Sequence, residues 1–404
     1  MADYILAANS ESALLNSLEK AQLTDAYSYR IDANFPNGSK NIVAVSPNIA
    51  PSSTYPGKSV TFRIPRYGLI SRMVVETTLT VVGDCSGANN TRLGSRLFST
   101  IDLRTHNNTI CTNTPEYIQG RLDALAADQS PVLNMLTNPS VSLTSATTPA
   151  RIYTPFFMPF SEKTSMYLDA SFVEQLELNC VINSLTETGL LDMTAMSFVL
   201  YVVYRNLSNE AHRAYQSINF GDMGNPRKLN MLTYNTYAEN PISVVTSAST
   251  ASQTVDIKCP HPVASTHFGF VSTGTNYGFD LAINSFSLTF SGRKIFDTIP
   301  MGVLKYDESF FGKSSLKVTG GTGGVPTYET ISTAKSCGSI YYGESSDRTF
   351  NSHSLSLSNT SAPQLVVNYT AQVSAARQLR VWHEYWQITS IDPADGRIIV
   401  GNSF

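Results

Sequence analysis

Ile101-Asp102-Leu103-Arg104-Thr105-His106-Asn107-Asn108-Thr109-Ile110, closed by Pro115, decides the fold, because the phrase is written again further along the chain. Its second copy is Phe286-Ser287-Leu288, running through Ser291-Gly292-Arg293 to Ile295 and Pro300. Four anchors move by the same amount: 286−101, 288−103, 295−110 and 300−115 all give 185. In both copies alternating apolar residues meet a turn of small polar residues and then a proline.

Two more phrases recur in the same order. Gln175-Leu176-Glu177-Leu178-Asn179 matches Gln364-Leu365-Val366-Val367-Asn368, where 364−175 gives 189. Phe198-Val199-Leu200-Tyr201 through Tyr204 meets Leu379-Arg380-Val381-Trp382 through Tyr385, where 379−198 gives 181. Solenoid repeats run to about 20–50 residues, so a period this long reads as a duplicated domain. The competing reading is two unrelated β-domains sharing strand vocabulary; shared order and nearly constant offset favour duplication.

The 404 residues leave room for two or three domains, each large enough to bury a core. Charged residues make up only 15% of the chain, which suits sheets with neutral polar outer faces. The dominant period is two. Val60, Phe62 and Ile64 alternate with Ser59, Thr61 and Arg63; Phe286, Leu288 and Phe290 alternate with Ser285, Ser287 and Thr289; Leu355 and Leu357 sit among Ser354, Ser356 and Ser358. Each run reads as a strand with one face in a core. Turn clusters separate them, including Pro36-Asn37-Gly38, Gly83-Asp84, Ser291-Gly292 and the Gly320 to Gly324 loop. The pattern predicts antiparallel sandwiches, not βαβ units.

Helices are expected to be few, and two fall at equivalent points. Thr114, Pro115 and Glu116 supply an N-cap, a first-turn proline and an acid near the positive helix end, and Ile118, Leu122 and Leu125 mark one face. In the second copy Pro300 precedes Met301, Val303, Leu304, Phe310 and Phe311. The first 40 residues stand outside the repeat. Asn9 or Ser10 can cap a short helix carrying Leu14, Leu15 and Leu18. That segment holds Lys20, Arg30 and Lys40 against Asp3, Glu11, Glu19, Asp25 and Asp32, so it does not attract anionic lipid or nucleic acid. The N-terminus lacks the basic start and apolar run of a signal peptide, and no apolar stretch is long enough to span a bilayer, which leads to an expectation of synthesis in the cytosol.

Chemical motifs are scarce. The histidines at 106, 212, 261, 267, 353 and 383 form no HExxH pair, and there is no GxSxG elbow. His383 and Glu384 fall in a predicted strand that points them to opposite faces. The Gly320 to Gly324 run has no Lys-Ser or Lys-Thr at P-loop spacing and reads as a surface loop. Cys85, Cys111, Cys180, Cys259 and Cys337 are scattered, the pattern of reduced structural thiols. Lys and Arg number 28 against 31 Asp and Glu, so the chain lacks the basic stripe of a nucleic-acid binder. No cofactor, metal or catalytic residue is expected. Trp382, Tyr385 and Trp386 could form a sugar-stacking platform, but alternation sends the tryptophans to one face and Tyr385 to the other. A core or subunit-interface role for Trp382 and Trp386 is the better reading.

These residues carry a family resemblance. Two tandem sandwiches with an inserted helix resemble the double jelly-roll major capsid proteins of icosahedral double-stranded DNA viruses. Arg380-Val381-Trp382-His383-Glu384-Tyr385-Trp386-Gln387-Ile388, then Asp395-Gly396-Arg397-Ile398-Ile399-Val400-Gly401-Asn402-Ser403-Phe404, is similar to that family's last strand and tail. Arg66-Tyr67-Gly68-Leu69-Ile70 is similar to its opening strands.

The resemblance implies an all-β chain of two tandem eight-stranded jelly-roll β-sandwiches with short inserted helices and an N-terminal helical arm. The expected division is 1–44 for the arm, 45–222 for the first jelly roll with its linker and 223–404 for the second. It further implies a virion protein made inside the host cell, in homotrimeric pseudo-hexameric capsomers that contact neighbouring capsomers, minor capsid and penton proteins and an internal lipid membrane, without direct nucleic-acid binding. Leu14, Leu15, Leu18, Trp382 and Trp386 are the expected assembly residues. Alternatives are a two-domain carbohydrate-binding or adhesion protein, a bicupin-type enzyme, and a minor capsid or vertex protein. The duplication itself predicts that the segments around Leu103 and Leu288 are the same strand of two jelly rolls.

Overall fold

The computed structural model describes residues 39–48, 57–81, 93–106, 108–124, 136–140, 143, 149–158, 167–184, 193–221, 226–244, 251–272, 283–304, 318–319, 327–328, 337–342, 355–357, 363–369 and 377–401. Residues 1–38 of the arm, with Leu14, Leu15 and Leu18, and the Gly320 to Gly324 loop, Leu125, Phe310 and Phe311 lie outside the described residues.

The first half contributes β1 (Ser39–Val45), β2 (Ser59–Arg63), β3 (Leu69–Val81), β4 (Phe98–Arg104), β5 (Thr109–Asn113), β6 (Ala150–Phe156), β7 (Leu168–Asp169), β8 (Glu177–Ile182) and β9 (Met193–Asn206). Between them lie α1 (Leu93–Arg96) and α2 (Pro115–Ala124), and α3 (Asn209–Phe220) follows β9. One sheet has the order β1-β9-β3-β6 with β7 beside β3; the other has the order β2-β8-β4-β5. The chain crosses repeatedly from one sheet to the other, which is the jelly-roll path. Because β1 pairs with β9 along its whole length from Ser39, this sandwich reaches back into the segment read as the arm.

The second half repeats the plan with β10 (Leu229–Ala238), β11 (Ile242–Val244), β12 (Ala251–Asp256), β13 (Pro262–Ser272), β14 (Ile283–Phe290), β15 (Arg293–Pro300), β16 (Val318–Thr319), β17 (Thr327–Tyr328), β18 (Cys337–Tyr341), β19 (Leu355–Ser356), β20 (Gln364–Tyr369), β21 (Arg377–Ile391) and β22 (Ile398–Gly401). Its sheets run β10-β21-β13-β18 and β12-β20-β14-β15; β11 and β22 attach to β21, and β19 attaches to β13. β16 and β17 pair with each other.

Strand registers define the repeat residue by residue. In β4, Ile101 faces Cys180 and Leu103 faces Leu178; in β14, Phe286 faces Val367 and Leu288 faces Leu365. Leu103 and Leu288 are therefore the same position of the same strand. The partners differ by 367−180 and 365−178, both 187, so the 189 read from the β8 phrase is two residues off. A two-residue slip leaves every side chain on its own face, which is why the sequence pattern tolerates it. For the last strand the offset of 181 holds. Both copies carry an irregularity at one point: Ile70 faces Tyr204 and Arg72 faces Val203, while Val263 faces Tyr385 and Ser265 faces Glu384.

The alternating residues do what their period requires. Val60, Phe62, Ile64, Ile101 and Leu103 fill the first core, and Phe286, Leu288, Leu365 and Val367 the second. α2 begins at Pro115, with Thr114 Oγ1 accepting from the Tyr117 amide, and buries Ile118 and Leu122. Its counterpart after Pro300 is helical over the described residues 301–304, which bury Met301 and Leu304 and expose Val303. Leu103→Ala and Leu288→Ala are expected to destabilise the protein by about 3 kcal/mol each, because each opens a cavity at the same point of an equivalent core. Urea unfolding of the two variants checks this, and a large inequality contradicts the equivalence.

Candidate functional site: the seam between the two sandwiches

β21 carries Trp382 and Trp386, two of the five assembly residues read from the sequence, and it is buried without interruption from Val381 to Gln387. A strand covered on one face only shows alternating burial, so a second body must cover the other face. Val381 and Tyr385 point into the second core. Trp382 points away from it and packs with Tyr117 of α2, Val271 and Phe157. The tryptophans expected to be assembly residues are thus covered by this chain's own residues, with only 2% of Trp382 and 4% of Trp386 exposed. Trp382 stacks on His267 at 5.5 Å, and Trp386 lies 4.1 Å from the Tyr234 ring.

The helix against Trp382 is shaped to receive it. A Cβ at Gly120 would stand 3.0 Å from Trp382 Cζ2, tighter than side chains ordinarily pack, so glycine lets the indole lie close against the helix. Arg380 Nη1 donates to Glu116 Oε1 at 3.1 Å, joining β21 to the first turn of α2 in a largely buried ion pair.

β5 is an edge strand, with backbone groups that its sheet does not pair. Side-chain amides of the second sandwich satisfy them. Asn235 Oδ1 accepts from the Thr112 amide at 3.1 Å, and Gln387 Nε2 donates to the Ile110 carbonyl at 2.6 Å. Thr236 Oγ1 donates to the Thr112 carbonyl at 2.8 Å, and Asn235 Nδ2 donates to Gln387 Oε1 at 3.3 Å. A cavity of about 10 Å³ remains beside Cys111, Thr112 and Tyr234, space for roughly one water.

The chain end ties the halves together again. Past Tyr385, β21 is flanked by β10 and β22, and Leu229, Ile391 and Ile398 from these strands belong to the first core. Gly396, with φ +70, donates its amide to the Asp392 carbonyl, and its carbonyl accepts from the Glu174 amide. A Cβ there would approach the Phe172 carbonyl oxygen to 2.3 Å, so both conformation and contact demand glycine. Glu174 Oε1 accepts from the Ile398 amide, and Asn108 Nδ2 donates to the Ile398 carbonyl.

α3 leads from one sandwich to the other and is fastened by one buried carboxylate. Ser208 caps it, its Oγ accepting from the Ala211 amide. Asp169 Oδ2 lies 2.6 Å from His212 Nε2 and accepts from Gln216, while Asp169 Oδ1 accepts from Ser171. Burial pushes Asp169 up, but the bonds from His212 and Ser171 outweigh it and hold the carboxyl below its ordinary range. The same bond raises His212.

The polar groups of β21 pair with neighbouring strands. His383 and Glu384 diverge as alternation requires: His383 meets Thr266 and Glu239, and Glu384 meets Ser265. Burial lowers the pKa of His383. Cys111 and Cys180 are buried thiols pushed far above their usual range, and Cys259 is pushed up to about 12. Among the described residues no group of three or more His, Cys, Asp and Glu could hold a metal ion, and no helix is long and apolar enough to cross a membrane.

Two jelly rolls of matching topology, sharing a buried strand, make this a double jelly-roll chain. Solved structures of similar fold include a chain of the PBCV-1 virus capsid, with TM-score 0.69, 14% identity, and coverage of 91% of this chain and 98% of that one. The Faustovirus major capsid protein follows at TM-score 0.58 and 10% identity, over 96% of this chain and 99% of that one. The mavirus major capsid protein gives 0.56 and 11%, over 93% and 94%. No family model and no curated protein sequence matches the chain.

Trp382→Ala is expected to cost about 3–5 kcal/mol, since it empties the seam. Gly120→Val, which drives a branched side chain into the indole, should lower the Tm without touching either core. Thermal unfolding followed by tryptophan fluorescence reads both. The α3 clasp sets a pH dependence. Raised above its ordinary 6.5, His212 contributes fully below that value and less as pH rises through its raised pKa. Asp169, lowered from 3.8, contributes above that value and loses its share as pH falls through its depressed pKa. The Tm deficit of His212→Gln should therefore be larger at about pH 6 than at about pH 9.

Proposed function

We propose that this chain is a major capsid protein of an icosahedral double-stranded DNA virus, built into the virion shell after assembly inside the host cell. The observation that carries the reading is the duplicated jelly roll, which matches the PBCV-1 capsid chain and the Faustovirus major capsid protein over nearly the full length of each. The capsomer is a homotrimer in which three chains present six similar sandwiches, a pseudo-hexagonal unit that tiles a facet beside minor capsid and penton proteins. Duplication supports this, because one gene product then supplies six-fold-like edges while its halves diverge to make unlike contacts. Leu14, Leu15 and Leu18 of the arm serve at the inner base, against neighbouring capsomers or an internal membrane. The near balance of 28 basic and 31 acidic residues suits a coat that does not package its genome by direct contact.

The role is structural rather than enzymatic. A carbohydrate-binding protein is disfavoured by the burial of both tryptophans, since a stacking platform must be open to solvent. A minor capsid role is separated from the major one by abundance in particles.

Light scattering on the chromatographed protein should give three times 44.1 kDa, and negative-stain images should show hexagonal outlines. A stable monomer at micromolar concentration contradicts the capsomer reading.

A further inference from the structure

The seam inside one chain shows how an edge strand of this fold is gripped, and the repeat supplies a second set of the same parts. β15 is the counterpart of β5: Phe296 faces Leu288 as Cys111 faces Leu103, which puts Ile295 at the position of Ile110. β1 and β9 are the counterparts of β10 and β21. Asn41 faces Tyr204 as Asn235 faces Tyr385, and Asn206 faces Ser39 as Gln387 faces Thr233. Both amides that hold β5 therefore have amide counterparts, on facing strands and at the same separation.

Among the described residues the second set is unengaged. Ile110 is fully buried, whereas Ile295 is 47% exposed, and among the described residues β15 is an edge strand paired only with β14. Asn41 and Asn206 are half-buried, and neither makes a side-chain hydrogen bond among the described residues. One difference bears on the register. Opposite β14, the step from Phe296 to Ile299 holds one residue more than the step from Cys111 to Asn113 in β5. The extra residue is placed at Thr298, whose φ of +51 marks a bulge, so Ile295 and Asp297 keep the alignment of Ile110 and Thr112.

We propose that Asn41 and Asn206 form a clasp for strand β15 of a second copy of this chain. Asn206 Nδ2 donates to the Ile295 carbonyl of that copy, and Asn41 Oδ1 accepts from its Asp297 amide, repeating the bonds that Gln387 and Asn235 make within the chain. The contact is head-to-tail, because β15 and the β1–β9 pair lie on different sandwiches, and repetition of such a contact closes a ring of three when each step turns by about 120°. This rests on the homotrimer proposed above and assigns the residues that join its subunits. The facing pair beside the amides has diverged: Tyr234 and Trp386 in the second sandwich correspond to Lys40 and Arg205 in the first. That substitution suits a contact that forms only after the chain has folded, with charged groups able to remain in water until assembly.

The test uses the full chain with Asn41→Cys and Asp297→Cys together, treated with a short bismaleimide, beside each single-cysteine variant as a measure of reaction at the native thiols. Covalent dimers and trimers specific to the double variant support the clasp. A wild-type trimer whose double variant gives no such bands overturns the clasp and leaves the capsomer reading standing; a monomeric wild type overturns both. Asn41→Leu with Asn206→Leu should raise the trimer dissociation constant about tenfold or more while leaving the far-UV spectrum unchanged, since two hydrogen bonds are lost at an interface. An unchanged dissociation constant overturns the role of the amides.

Discussion

A single strand that serves two cores constrains everything else in this molecule. β21 closes the second sandwich with Val381 and Tyr385, receives α2 of the first on Trp382, and sends Ile391 into the first core. With both faces and one end committed, neither sandwich can be removed without exposing large aromatic surface of the other. The linker clasp at Asp169 and the tail clamp at Gly396 act on the same joint, fixing the approach of β10 and the return of β22 on either side of β21.

Duplication followed by divergence explains which positions stayed alike. Tyr204 and Tyr385 occupy the same place beside the same irregularity, each packed into the core of its own sandwich. The outer-face positions went separate ways. Subtracting the offset, 382−181 gives Tyr201 and 386−181 gives Arg205, so the indoles that fill the seam have no aromatic twin at Trp386 and a half-buried one at Trp382. A core position answers to the opposite sheet of its own sandwich, which is the same in both copies. An outer-face position answers to whatever body lies against it, and that body differs.

Much of this was legible in the chain. Alternation at Val60–Ile64 and Phe286–Phe290 marked strands, Thr114-Pro115-Glu116 marked the start of α2, and parity separated His383 from Glu384. The assembly reading of Trp382 and Trp386 identified residues that need an apolar partner, but their cover lies at Tyr117, Phe157 and Tyr234. Glu116 was legible only as a helix-start acid and not as the partner of Arg380; Asn235, Gln387 and Gly120 drew no notice, since a lone amide or glycine gives no signal until its partner, more than 100 residues away, is brought to it. Gly120 sits in a helix where glycine is unfavourable, and that local misfit was the one available hint.

The sequence by itself determined the period, the phase of each strand and the duplication, because those follow from short-range alternation and from copies compared position by position. Only the tertiary structure decided that the two sandwiches share a strand, that α2 is a socket for an indole and that the edge of β5 is held by side-chain amides. Such contacts depend on where two distant surfaces meet in space, and the pattern along a strand records only that a face is apolar, not what covers it.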